Sequence, residues 1–230
     1  MKILSLNLNK NLNLQDIKNE AQANIYAFQE SKFQLSGKTR INTINIIDDI
    51  IDKEKPVEFE KIWKNFFPWL EFPENYFAES KIDYENFPFI LINVHLAGFR
   101  SGLRQLLMFV LLERLKAEDL KSKNIILVGD FNAKIVEGIA TKQEQNGSRY
   151  LVEIIKIGFK ELKTDSENLD DVKTFYDTCK VGHRYDHAFI KYKEENNSYQ
   201  IHVNYFPEDN KTWFSDHRGI ILEIEKKPIF

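Results

Sequence analysis

The stretch Ile125-Ile126-Leu127-Val128-Gly129-Asp130-Phe131-Asn132 constrains this chain most. A run so apolar reads as a strand covered on both faces, and it passes directly into a carboxylate and an amide. The pattern recurs. Ile3 to Leu8 alternates, with Leu4, Leu6 and Leu8 on one face and Ser5 and Asn7 on the other. Ile25 to Phe28 is a short strand-like run ending at Glu30, and Phe89 to Leu96 is almost continuously apolar with His95 at its exit. Two later strands have their polar groups at the start instead: Asp186 in Tyr185 to Ile190, and Ser215-Asp216-His217 ahead of Gly219 to Ile224. With antiparallel neighbours, these ends and starts collect on one rim of the sheets, where strands hold them rigidly and loops open them to a substrate.

Between the strands the apolar spacing turns helical. Leu14, Ile17 and Ala21 mark a first helix, and the isoleucines at 41, 44, 47, 50 and 51 predict a second that must stop by Pro56. Phe59, Trp63, Phe66 and Phe67 are spaced for another helix before Pro68. Phe77 to Ile82, Asp83 to Asn86 and Phe89 to Leu96 read as strand, turn, strand, and Leu103 to Leu120 as an amphipathic helix. A loop to about Gly147, a helix to about Ile157 and a strand at Tyr199 to Phe206 complete the reading. The class is therefore α/β. A 43% hydrophobic and 13% aromatic composition in 230 residues supplies one domain's core. The net charge of -3 offers no global basic field to a nucleic acid, although a local basic rim would suffice for one. Cys179, the only cysteine, excludes an intramolecular disulfide and a cysteine metal cage. Amides interrupt the first ten residues, unlike a signal peptide, and no run approaches the ~20 apolar residues of a membrane helix. A cytoplasmic protein without a membrane segment is expected.

Crowded carboxylates repel unless a cation or proton intervenes, and a hard divalent ion with oxygen ligands resolves the conflict, Mg²⁺ first and Mn²⁺ as the alternative. Successive strand side chains face opposite ways, so Asp186 rather than His187 is expected to point into the site. His183 and His202 fit no motif, and no nucleophile elbow surrounds Ser215. Arg100, Arg104, Arg149, Arg184, Lys134 and Arg218 lie near the motif ends. Arg104 and Arg184 are the first choices to bind substrate phosphate, against the reading of each as an ordinary exposed charge.

KILSLNLN with Asn7, AFQES with Glu30, NVHL with His95, VGDFNA with Asp130 and Asn132, RYDHAFI with Asp186, and FSDHRGI with Asp216 and His217 follow in a familiar order. In order and spacing the chain resembles the endonuclease/exonuclease/phosphatase superfamily typified by DNase I. Residues 31 to 76 match nothing in that pattern.

The resemblance implies a four-layer α/β/β/α sandwich with two mixed, largely antiparallel sheets. It implies one catalytic domain over residues 1–230, in which 31–76 is a divergent, aromatic-rich insertion. The activity implied is Mg²⁺-dependent phosphodiester hydrolysis by in-line attack of water, with an endonuclease acting on DNA or RNA as the leading reading. Glu30 and Asp216 would hold the metal with Asn7 close by. Asp130 and Asn132 would align water and scissile phosphate, His217 oriented by Asp186 would handle a proton, and His95 would serve the phosphate side. Whether Asp130 or His217 takes the water's proton stays open. The family's Glu that orients the histidine matching His95 has no clear equivalent here, with Glu71 and Glu79 as candidates.

Two rival readings remain: a hydrolase of a small or lipid phosphoester using the same site, and a catalytically silent binding module. Gly182-His183-Arg184-Tyr185-Asp186-His187 departs from the inositol phosphatases, and His95 departs from the abasic-site endonucleases. The aromatic stretch of Trp63, Phe66, Phe67, Trp69, Phe72 and Tyr76 is expected as core, or as a surface for bases, for a lipid or for a regulatory protein partner.

Overall fold

Alternation along β1 (Lys2–Asn7) sorts the chain into layers. Leu4 and Leu6, with Leu8 just beyond the strand, pack beneath α1 (Leu14–Ala21) through Ile17 and Ala21. Ile3 turns the other way, into the core between two sheets. The computed structural model describes residues 1–8, 14–35, 38–46, 57–85, 87–98, 101–134, 142–163, 174–176, 182–193, 198–207 and 215–227.

The first sheet runs in the order β11 (Tyr199–Phe206), β12 (Gly219–Lys226), β1, β2 (Ile25–Leu35), β3 (Lys38–Ile46), with β1 parallel to β2 and antiparallel to β12. The second runs β4 (Phe77–Tyr84), β5 (Phe87–His95), β6 (Asn124–Asp130), β10 (Asp186–Lys191), β7 (Lys160–Glu161), with β5 parallel to β6 and β10 antiparallel to it. A small antiparallel pair, β8 (Phe175–Tyr176) and β9 (Gly182–His183), stands apart from both.

Leu91, Ile126, Val128 and Ala188 of the second sheet meet Ile3, Ala27, Leu222 and Ile224 of the first. On the second sheet's other face, Ile92, Val94, Leu127 and Phe189 pack against α2 (Val57–Phe66), α3 (Ser101–Lys116) and α5 (Lys142–Lys156). Coverage on both faces is why β5 and β6 read as continuous apolar runs. The layers are α/β/β/α, as the resemblance implied. Among the described residues no helix is long and apolar enough to cross a membrane.

Several local expectations are corrected. The helix predicted from Ile41 onward is strand β3 as far as Ile46, paired antiparallel with β2; positions 47 to 56 lie outside the described residues. Thr39, Ile41, Thr43, Ile44 and Ile46 are β-branched, and pairing with a neighbouring strand overrides the three-residue spacing of the isoleucines. Strand β2 does not end at Glu30 but continues to Leu35, with a register irregularity between Gln29 and Phe33. Helix α5 starts at Lys142, ahead of Gly147. The long helix from Leu103 breaks at the extended Ala117, and a short α4 (Glu118–Lys121) follows.

The aromatic stretch mostly builds the helical layer: Phe59, Trp63 and Phe72 are buried, and Phe59 stacks on Phe77 with centroids 4.3 Å apart. Phe66 and Trp69 remain exposed. Glu79 does not reach His95, because it makes a two-point ion pair with buried Arg114 of α3, Nε and Nη2 donating at 2.9 and 2.7 Å.

Candidate active site

Three side chains share one rung of the second sheet. His95 lies opposite Asp130 in the parallel β5/β6 pair, and Asp186 lies opposite Asp130 in the antiparallel β6/β10 pair. All three have the parity of the inter-sheet core residues Leu91, Val128 and Ala188, so they close that core at its rim. Gly129 makes the rung attainable. Its φ is 135°, and a Cβ there would lie 2.0 Å from the Val94 carbonyl oxygen of β5.

The other sheet contributes Asn7, whose Nδ2 donates to Asp130 Oδ2 at 3.0 Å. Asn132 completes the cradle: its backbone N–H donates to Asp130 Oδ1 at 2.8 Å, and its Nδ2 donates to Asp130 Oδ2 and to the Leu96 carbonyl at 3.0 and 2.8 Å. To make these bonds Asn132 adopts φ 47°, a left-handed conformation that Asn tolerates better than most residues. The Asp130 carboxylate is thus fixed by three donors.

His217 enters from the residues just before β12. Its Nδ1 lies 2.9 Å from Asp186 Oδ2, and its Nε2 faces Asp130 Oδ2 at 3.8 Å. His95 Nε2 approaches the same oxygen at 4.0 Å. Thr174 anchors this side, its hydroxyl accepting from the N–H groups of Tyr185 and Asp186 while its carbonyl accepts from Arg218 N–H. Burial raises the Asp130 carboxyl above its ordinary value, nearby Asp186 adds to this, and His217 and His95 oppose it. Burial alone would pull His217 down, but the carboxylates of Asp186 and Asp130 outweigh it and push the ring up to about 10. His217 is thereby set between two acids, Asp186 and Asp130.

Asp130, Asp186 and His217 offer ligand atoms that lie within 4.8 Å of one another. Two carboxylates and an imidazole suit a divalent cation, although Asp186 and His217 already engage each other. Asp216, exposed on the same bend, accepts from Ser215 Oγ at 3.1 Å and adds to the charge around His217. Its carboxylate faces solvent and is not one of those three clustered ligands. Glu30 lies on β2, and its side chain is outside the described residues.

The two arginines chosen for substrate phosphate are engaged with the protein. Arg104 donates through Nη1 to the Gly98 and Asn132 carbonyls at 3.2 and 2.7 Å, and Arg184 donates through Nη2 to Glu161 Oε1 at 2.8 Å. His187 faces away from the rim, with Nε2 donating to the Ala133 carbonyl at 2.9 Å and Nδ1 lying 2.8 Å from Glu161 Oε1. Beside His95 stands Tyr76, the ring centroids 5.9 Å apart. Thr174 and Glu161 carried no sequence signal, because each is defined by a partner distant along the chain, and Tyr76 stood out only as part of the aromatic stretch.

No family model matches the sequence, and no curated protein is similar to it at a significant level. Solved structures do resemble it. An AP endonuclease from Archaeoglobus fulgidus superposes with a TM-score of 0.65 at 15% identity, over 98% of this chain and 99% of that one. The endonuclease domain of TRAS1, a telomere-specific non-LTR retrotransposon, gives 0.64 at 16% identity over 99% of both chains. The 3'-5' exonuclease NExo from Neisseria meningitidis gives 0.64 at 15% identity over 98% of this chain and 100% of that one. This chain shares their fold. The likeness extends over nearly its whole length and is one of fold, the α/β/β/α sandwich of two face-to-face sheets. A fold hosts many reactions, so the case for chemistry rests on the side chains at the rim.

Proposed function

We propose that the protein is a divalent-metal-dependent phosphodiesterase that cleaves nucleic acid, acting as an endonuclease on DNA or RNA. The observation that carries this reading is Asp130 Oδ2, held by Asn7 and Asn132 and flanked by the Nε2 atoms of His217 and His95 at 3.8 and 4.0 Å. A fixed acid between two imidazoles suits in-line attack by water on a phosphoester. His217, whose proton affinity the Asp186 and Asp130 carboxylates increase against the effect of burial, is the group suited to steady charge on the phosphoryl oxygens. That leaves Asp130, a carboxyl whose proton affinity burial increases, to accept the proton of the water. His95 faces the phosphate from the opposite side, and Asn132 orients Asp130.

Glu30 and Asp216, with Asn7 nearby, are the residues that would hold Mg²⁺ or Mn²⁺, and Asp130 and Asp186 would add negative charge beside it. Such an ion, when bound, supplies Lewis-acid stabilisation of the developing charge. Nucleic acid as substrate is supported by what similar structures are named for: an endonuclease, an exonuclease, and a Neisseria enzyme bound to a product DNA hairpin.

Supercoiled plasmid, single-stranded DNA, RNA and bis-p-nitrophenyl phosphate, each with Mg²⁺ or with chelator, test the reading together. Metal-dependent nicking of a polynucleotide is the expected result. Cleavage of the small diester alone would transfer the site to the small-phosphoester reading, and silence on all four would overturn phosphodiester hydrolysis.

A further inference from the structure

The turn that carries Asn132 is held from outside the site at two consecutive carbonyls. Arg104, buried on α3, donates to Asn132 O at 2.7 Å and, with the same Nη1, to Gly98 O at 3.2 Å. His187 donates to Ala133 O at 2.9 Å while its other nitrogen rests 2.8 Å from Glu161 Oε1, which also accepts from Arg184. His187 and Glu161 are both buried. On the site side, Asn132 already spends its N–H and Nδ2 on Asp130 and Leu96. Gly98 closes the arrangement: a Cβ there would sit 2.9 Å from Asn132 Oδ1, and the hydrogen bonds of that amide leave it little freedom to yield.

Asn132 therefore keeps its left-handed conformation because protein groups pull on both sides of the turn. A left-handed non-glycine residue costs free energy that its surroundings must offset. We infer that Arg104 and the His187–Glu161 pair form a two-point clamp that fixes Asn132, and through it Asp130, making both Arg104 and His187 positioning residues, Arg104 in place of the phosphate ligand that the sequence suggests. The kinetic part of this inference rests on the phosphodiesterase reading; the structural part does not.

The test compares the full-length protein with Arg104→Met, Arg104→Lys, His187→Phe and Gly98→Ala, by amide hydrogen exchange and by metal-dependent cleavage kinetics. The Asn132 N–H is expected to exchange at least about tenfold faster in Arg104→Met, His187→Phe and Gly98→Ala, while the β6 amides of Ile126 and Leu127 keep wild-type protection. Small misplacement of a reacting group is costly, so kcat is expected to fall on the order of 10- to 100-fold with KM changed less than about threefold. Arg104→Lys keeps a cation and a donor, restores part of the protection, and serves in place of Arg104→Met if that variant does not fold. Wild-type protection of the Asn132 amide in both Arg104→Met and His187→Phe would overturn the clamp, whether or not the protein cleaves anything. A rise in KM at constant kcat on replacing Arg104 would also overturn it, by returning that residue to the substrate.

Discussion

Two acid-bearing segments meet at the rim, and they are built in opposite ways. In the turn from Asp130 to Ala133 only Asn132 is half-buried and the rest is buried, the Asp130 carboxylate holds three donors, and Arg104 and His187 bond two of the turn's carbonyls from behind. The bend from Ser215 to His217 places Asp216 in solvent, braced by the Ser215 hydroxyl, while buried His217 leans on Asp186. A group that must aim a reacting atom gains from being fixed, whereas a group that must exchange water for a ligand has to remain reachable. On the reading proposed above, one rim would separate alignment from capture.

The largest expected effect lies on the fixed side. Asp130→Asn should lower metal-dependent cleavage by about 10²- to 10⁴-fold, the range for a lost proton acceptor. The new amide NH₂ would face donors that the carboxylate now accepts from, on Asn7 and Asn132, which offsets the relief of a buried charge, so stability at neutral pH should fall modestly, by about 1–3 kcal/mol, as calorimetry would show. A large fall in melting temperature would mean that Asp130 holds the sheets together rather than serving chemistry. Asp216→Asn should act differently. The Mg²⁺ concentration for half-maximal rate should rise while stability stays within about 0.5 kcal/mol, as befits an exposed position. Unchanged metal dependence would remove Asp216 from the metal site.

The contrast was partly legible in the sequence. Residues of β1, β5 and β6 alternate or run apolar so regularly that the parity of Asn7, His95 and Asp130 follows from that of their neighbours, and parity alone separates Asp186 from His187. What could not be read depends on contacts between segments far apart in the chain. Glu79 is claimed by Arg114, thirty-five positions away, and Arg104, a phosphate candidate from its place near the motif ends, is occupied by carbonyls of two loops. The isoleucines of β3 fit a helical spacing and a strand equally well until β2 is beside them. Glu30 sits beside a register irregularity that no local propensity foretells.

A smaller effect should appear in acid. His187 and Arg184 hold the Glu161 carboxyl below its ordinary value although burial alone would raise it. A carboxyl lowered in the folded state contributes stability that is fully present above its unfolded value of about 4.3, and that is lost as pH falls through the lowered one. The stability lead of wild type over Glu161→Gln should therefore be constant from pH 7 to about 5.5 and shrink below about 4.5 in thermal melts. A lead that grows in acid would contradict the ion pair. Smallest of all, Trp69→Ser removes a ring that is 76% exposed, and should leave cleavage and melting temperature unchanged. A loss of activity would extend the site toward the aromatic surface.

On the proposed function, a protein-held acid, Asp130, drives a metal-dependent phosphoester cleavage. The most direct measurement is single-turnover plasmid nicking by wild type and Asp130→Asn at saturating Mg²⁺ and in chelator, with folding matched by circular dichroism. Nicking by wild type that disappears both in chelator and in Asp130→Asn is the predicted result. Equal nicking by the folded variant, or nicking indifferent to chelator, would contradict it.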